Sequence, residues 1–162
     1  MWLGTSLSVL ACIAAVALIV MALRRSYRPA VAGGVAAVSA GIAASLLKDV
    51  FDRPRPPASL SLVHAAGSSF PSDLAAATAA LATALFVATN WTSTVRARTM
   101  ATALSAAVIV CGLCMVYLGA HWPTDVLAGW VLGVALGLFT GKAVRRLTGG
   151  REGTSIGSWP ES

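Results

Sequence analysis

Charge is what this chain has least of. Of its 162 residues, 11% are charged and 57% hydrophobic, and the mean hydropathy is +0.77. That balance excludes an ordinary soluble domain. The long apolar runs carry almost no Lys, Arg, Asp or Glu in their interiors and show no polar face at helical period, so a soluble helical bundle is excluded too. Cysteine is scarce: Cys12, Cys111 and Cys114 make an odd number, all within apolar runs. Cys111-Gly-Leu-Cys114 has C-x-x-C spacing, but no βαβ pattern surrounds it, and a redox role is not expected. No cluster of ligand residues has the spacing of a metal site, so neither metal nor cofactor is expected.

What is present is a series of apolar runs near the roughly 20 residues that cross a bilayer. They fall at 2–23, 30–47, 74–91, 100–118 and 124–141. The expected fold class is all-α, a polytopic transmembrane bundle of about five spans within residues 1–147. Residues 1–23 lack a basic leader region and are expected to be a signal anchor. The Gly/Ser-rich stretch 148–162 is expected to be a disordered cytoplasmic tail. Gly129, Gly133, Gly137 and Gly141 recur every four residues. Such a stripe lets helices approach closely, either within the chain or in a homo-oligomer.

The cations set an orientation. Arg24, Arg25, Arg28, Arg96, Arg98, Lys142, Arg145, Arg146 and Arg151 follow the first, third and fifth runs, leaving Lys48, Arg53 and Arg55 on the opposite side. By the positive-inside rule the N-terminus is outside and the C-terminus in the cytoplasm of a cell membrane. The net charge of +6 reflects that bias and requires no nucleic-acid partner.

The outer side is where chemistry concentrates. Residues 48–73, KDVFDRPRPPASLSLVHAAGSSFPSD, hold Lys48, Arg53, Arg55, His64, Ser72 and Asp73, and their prolines forbid a continuous helix. The segment GAHWPTDVLAGW, 119–130, returns to the same side and places His121 and Asp125 four apart at the start of the last run. Cations, hydroxyls and an imidazole beside helix N-termini suit an anion such as phosphate. A single cation of this kind can instead snorkel to the headgroups, which is the reading preferred for Arg53. A structural helix cap is the alternative for His121 and Asp125.

The spacing is then recognisable: Lys48, six residues, Arg55-Pro56; Phe70-Pro71-Ser72; His121, three residues, Asp125. Over roughly residues 30–141 this resembles the type 2 phosphatidic acid phosphatase family of membrane lipid phosphatases. The family pattern is Lys-x6-Arg-Pro, Pro-Ser-Gly-His and Ser-Arg-x5-His-x3-Asp. The resemblance implies that His121 is a nucleophile forming a phosphohistidine, that Asp125 orients it, and that Lys48, Arg55 and Ser72 hold the phosphate. It also implies that no metal is needed. Relatives act on phosphatidic acid, phosphatidylglycerophosphate, polyprenyl diphosphates and polyprenyl-linked sugar phosphates. The Arg-over-Lys and Ala-rich composition, as in a GC-rich bacterial genome, points to a polyprenyl-linked cell-wall intermediate.

Two departures stand against the pattern. Asp73-Leu74 replaces Gly-His, removing the histidine that protonates the leaving oxygen, and Cys114-Met115 replaces Ser-Arg, removing a phosphate clamp. Such losses cost about 10²–10⁴ and about 10²–10³ in rate respectively. Three accounts follow: a lipid phosphatase with a rebuilt acid, His64 or Asp73; an enzyme for diphosphates, whose leaving group needs little protonation; or a non-catalytic relative that binds an anionic lipid or supports a membrane complex. The orientation is open to test by labelling cysteines introduced at Ser59 and Ser93 in a cysteine-free background. Reagent applied from outside should modify the first and not the second; the reverse pattern would put the motif face in the cytoplasm.

Overall fold

The structure, a computed structural model, describes residues 27–149. The expected first span at 2–23 and most of the expected tail at 148–162 lie outside the described residues. Within them the chain is all-helical: α1 spans Arg28–Phe51, α2 Asp73–Ala88, α3 Thr94–Tyr117 and α4 Pro123–Gly149, with a short 3₁₀ turn at Ala58–Leu60. Three of the four helices, α1, α3 and α4, are long and apolar enough to cross a membrane, while α2 is a shorter apolar helix. The last helix runs past the expected end at 141, carrying Lys142, Arg145 and Arg146 within it.

The third expected run, 74–91, is cut short by local bonding. The Thr89 hydroxyl donates to the Leu85 carbonyl at 2.7 Å, and the Trp91 indole N–H donates to the Phe86 carbonyl at 3.0 Å. Trp91 also packs on Phe86, ring centroids 5.2 Å apart. These contacts fold the chain back over the helix end. At about 1.5 Å per residue the remaining sixteen residues reach about 24 Å, short of a full hydrocarbon core of about 30 Å.

The core is made of small residues. Ala32, Ala36, Ala40 and Ala44 of α1 meet Ala76, Ala80 and Ala84 of α2 in one fully buried cluster. The glycine stripe of α4 then lies directly on the α2 backbone. A methyl group at Gly129 would come within 2.5 Å of the Ser72 carbonyl oxygen, one at Gly133 would overlap the Ala76 carbonyl oxygen, and one at Gly137 would sit 2.7 Å from that of Ala80. Close approach within the chain is therefore what this stripe serves. Around the core, Val31, Val35, Val38, Ile42, Val110, Leu113, Val131 and Phe139 are exposed, as expected of side chains facing lipid.

Helix α3 has two buried residues, Gly112 and Met115, and Met115 packs on Ala75 and Val126 rather than on the alanine cluster. Its C-terminal end is nevertheless fixed. Gly119 adopts a positive φ of 67°, Gly119 N–H donates to Val116 O at 3.0 Å and Ala120 N–H to Met115 O at 3.1 Å, a glycine-terminated cap that turns the chain toward α4.

The close α2–α4 contact gives a direct expectation for stability. Gly133→Ala should lower the unfolding temperature of detergent-solubilised protein, at a cost of about 1–3 kcal/mol for overpacking. Gly34→Ala, where an added methyl meets nothing within 4 Å, should leave it unchanged or slightly raised. Equal behaviour of the two variants would mean the stripe is not a tight contact.

Candidate active site

The end of the bundle where α1 finishes and α2 and α4 begin is shaped by the loop 52–72. Helix α1 stops at Asp52, whose φ of 38° is left-handed and whose N–H still bonds to Lys48 O. Pro54, Pro56 and Pro57 then hold the chain extended. Ser69 stitches the loop to itself: its N–H donates to Arg53 O at 2.8 Å, and its hydroxyl bonds to the carbonyls of Arg53 and Pro54. The loop closes on α2 at Ser72, which caps that helix by accepting from Ala75 N–H. Ser72 N–H also donates to Asp125 O at 3.0 Å, joining the starts of α2 and α4.

His121 is buried in this junction, 6% exposed. Its Nδ1 lies 2.9 Å from the Ser69 carbonyl oxygen. A carbonyl only accepts, so Nδ1 carries the proton. Arg55 Nη1 lies 3.3 Å from Nε2, and a guanidinium only donates, so Nε2 presents its lone pair. Both contacts define the same tautomer. Burial pushes the His121 imidazole below its ordinary value of 6.5, Arg55 and Lys48 add to that, and Asp73 and the Ser69 carbonyl oppose it. The ring is therefore neutral at pH 7.

Arg55 is held by neutral partners. Its guanidinium donates to the carbonyls of Ala66, Gly67, Ser68 and Ala120. Its positive charge thus stays uncompensated by direct pairing, beside the His121 lone pair. Lys48 instead pairs with Asp73 at 2.9 Å, so the residue that replaces a glycine of the family pattern occupies one of the expected phosphate-holding cations.

Asp125 is fully buried. Its Oδ2 accepts from Trp122 N–H at 2.8 Å and stands 3.6 Å from His121 Nδ1, beyond hydrogen-bond reach. The expected orienting bond to the ring is thus made by the Ser69 carbonyl. Asp125 Oδ1 accepts from Arg53 Nη1 at 2.8 Å, and the same nitrogen reaches Thr124 Oγ1 at 2.6 Å. Arg53 does not snorkel away. A single cation in sequence carries no sign of a buried carboxylate partner 72 residues away.

The two departures from the family pattern meet in space. Met115 is buried with Ala75 and Val126, and Leu74 packs against that cluster. Ser72 is fully buried, and its hydroxyl points to the Met115 sulfur at 3.6 Å, so it serves as a helix cap rather than lining an open surface. His64 is exposed on the loop, and no hydrogen bond among the described residues links it to His121. Among the described residues no group of His, Cys, Asp and Glu is placed to hold a metal.

Fold and site together define a helical membrane protein with a buried imidazole at one end of its bundle, beside an arginine that has no direct carboxylate partner among the described residues. The PAP2 superfamily model matches residues 29–148, and the chain belongs to that superfamily. Among solved structures, the transmembrane PAP2-type phosphatidylglycerolphosphate phosphatase from Bacillus subtilis shares the fold, with a TM-score of 0.71 at 24% identity, covering 90% of this chain and 72% of that one. A comparison with curated proteins gave no match.

The lowered proton affinity of His121 has a measurable sign. If His121 attacks as the neutral imidazole, the reactive fraction falls as pH drops through the depressed value. Any kcat/KM profile should lose activity on the acid side, with that limb centred below 6.5. An acid limb centred above 6.5 would contradict the environment described.

Proposed function

We propose that the protein is a membrane lipid phosphatase acting through a phosphohistidine on His121, with its active face on the outer side of the cell membrane. The observation that carries this reading is the double restraint on the ring: Nδ1–H on the Ser69 carbonyl and Nε2 facing Arg55. A phosphate drawn to Arg55 would meet the Nε2 lone pair. Attack forms the N–P bond and breaks the P–O bond to the lipid, whose oxygen leaves with the bonding electrons. Water then attacks phosphorus, releases inorganic phosphate and restores Nε2. Asp125, 3.6 Å from Nδ1, offsets the positive charge that grows on the ring in the first step, while Arg55, and Lys48 once freed from Asp73, offset charge on the phosphoryl oxygens.

Leu74 and Met115 bear on the substrate. They pack in one apolar cluster, so the leaving oxygen has neither the family histidine nor the family arginine beside it. A diphosphate leaves as a far weaker base than an alkoxide and needs less protonation, which favours a lipid-linked diphosphate, such as a polyprenyl diphosphate, over a phosphomonoester. A polyprenyl-phosphoryl sugar phosphate would require an acid, and His64, in the same loop, is the residue available for it. The same cluster also favours a second reading, a non-catalytic relative that binds an anionic lipid.

Purified protein assayed for phosphate release against phosphatidic acid, phosphatidylglycerophosphate and a polyprenyl diphosphate separates these readings. The diphosphate should turn over fastest, with His121→Ala reducing release by at least about 10³-fold. His64→Ala should slow monoesters far more than the diphosphate if it donates the proton, and equal small effects eliminate it. Lipid binding without release from any substrate would establish the non-catalytic reading.

A further inference from the structure

Arg53 is the charged residue of this face that the motif pattern leaves without a task. Among the described residues it is the cation that hydrogen-bonds to Asp125, a carboxylate with no solvent exposure. Its guanidinium lies 5.9 Å from the Trp122 ring centroid, and that indole in turn donates to the Pro54 carbonyl at 3.1 Å. Arg53 and its indole support are therefore tied to the same loop turn that supplies Ser69. We propose that Arg53 is a positioning residue: by holding Asp125 Oδ1, it fixes the carboxylate beside the ring while the Ser69 carbonyl stays the acceptor for Nδ1–H, and so keeps His121 in the neutral form whose Nε2 lone pair is free.

The physical reason is competition for one proton. Asp125 Oδ2 is 3.6 Å from Nδ1, a gap that a small rotation of an untethered carboxylate would close. A buried carboxylate without its cation draws a proton onto the nearest base, and an imidazolium has no lone pair for phosphorus. Held between Arg53 Nη1 and Trp122 N–H, each at 2.8 Å, the carboxylate cannot rotate without losing both bonds. The other charges around the ring are Lys48 from α1, Arg55 from the loop and Asp73 from α2. Helix α3 contributes the uncharged Met115, its Cys114 and Tyr117 being exposed, and Asp49 and Asp52 are exposed at the end of α1. None of these groups touches Asp125 in place of Arg53.

The proposal rests on the reading of His121 as the reacting group, but its test needs no turnover. The chain has two histidines, so a His64→Gln protein in lipid nanodiscs leaves His121 as the single imidazole for ¹⁵N NMR across pH. That protein should show the Nδ1–H tautomer and a midpoint below 6.5. Adding Arg53→Gln should raise the midpoint by about one pH unit or more. Arg53→Lys, which keeps the charge but not the planar fork, should raise it less, and it decides the matter alone if the Gln variant does not fold. In an Asp125→Asn background the Arg53→Gln shift should be at least halved. An unchanged midpoint in the Arg53 variants overturns the proposal. So does a shift of equal size in the Asp125 and Asp125→Asn backgrounds, which would make Arg53 a distant charge only. Absence of phosphatase turnover bears on the proposed function and leaves this measurement intact.

Discussion

The backbone-to-backbone approach of α4 on α2 is the contact on which the site depends. It is possible only because Gly129, Gly133 and Gly137 present no side chain to the carbonyls of Ser72, Ala76 and Ala80. A wider separation would break the Ser72 N–H···Asp125 O bond and carry His121 away from the Ser69 carbonyl. In lipid, where hydrophobic burial drives no helix together, such close packing is what holds helices in register. The same stripe that stabilises the bundle therefore sets the ångström-scale geometry of the imidazole.

Electrostatics at that end follow a simple pairing. Lys48 is matched with Asp73 and Arg53 with Asp125, leaving Arg55 among neutral carbonyls. For the proposed phosphate substrate this would offer one cation ready to bind and a second that must first release a carboxylate. Two helix N-termini, those of α2 and α4, add their partial positive charge. The interior beside Ser72, by contrast, is apolar at Leu74 and Met115. Relative to the family pattern, this face has traded a proton donor and a clamp for hydrocarbon while gaining a carboxylate on its lysine.

Much of this was legible in the sequence, because its carriers are side chains with strong rules attached. Apolar runs announced the helices, the four-residue glycine period announced close packing, and the spacing of Lys48, Arg55, His121 and Asp125 announced that they meet at one end of the bundle. What the sequence does not carry is what backbone atoms and packing decide. The acceptor for His121 Nδ1 is the Ser69 carbonyl, and a carbonyl has no letter of its own. Arg53 looked like a headgroup cation because its partner, Asp125, lies 72 residues away in the chain. The α2 helix ended before its apolar run did because Thr89 and Trp91 bond back to it, a local competition invisible to hydropathy. The coincidence of hydroxyl and helix N-terminus at Ser72 is visible in sequence; its burial against Met115 is not.

The central claim is that His121 Nε2 attacks phosphorus. Rapid acid-free quenching of turnover on a ³²P-labelled lipid diphosphate, followed by peptide mapping, tests it most directly. The account predicts an acid-labile, alkali-stable phosphoryl group on the peptide carrying His121. Label on any other residue, or turnover that proceeds with no labelled protein at any quench time, would contradict it.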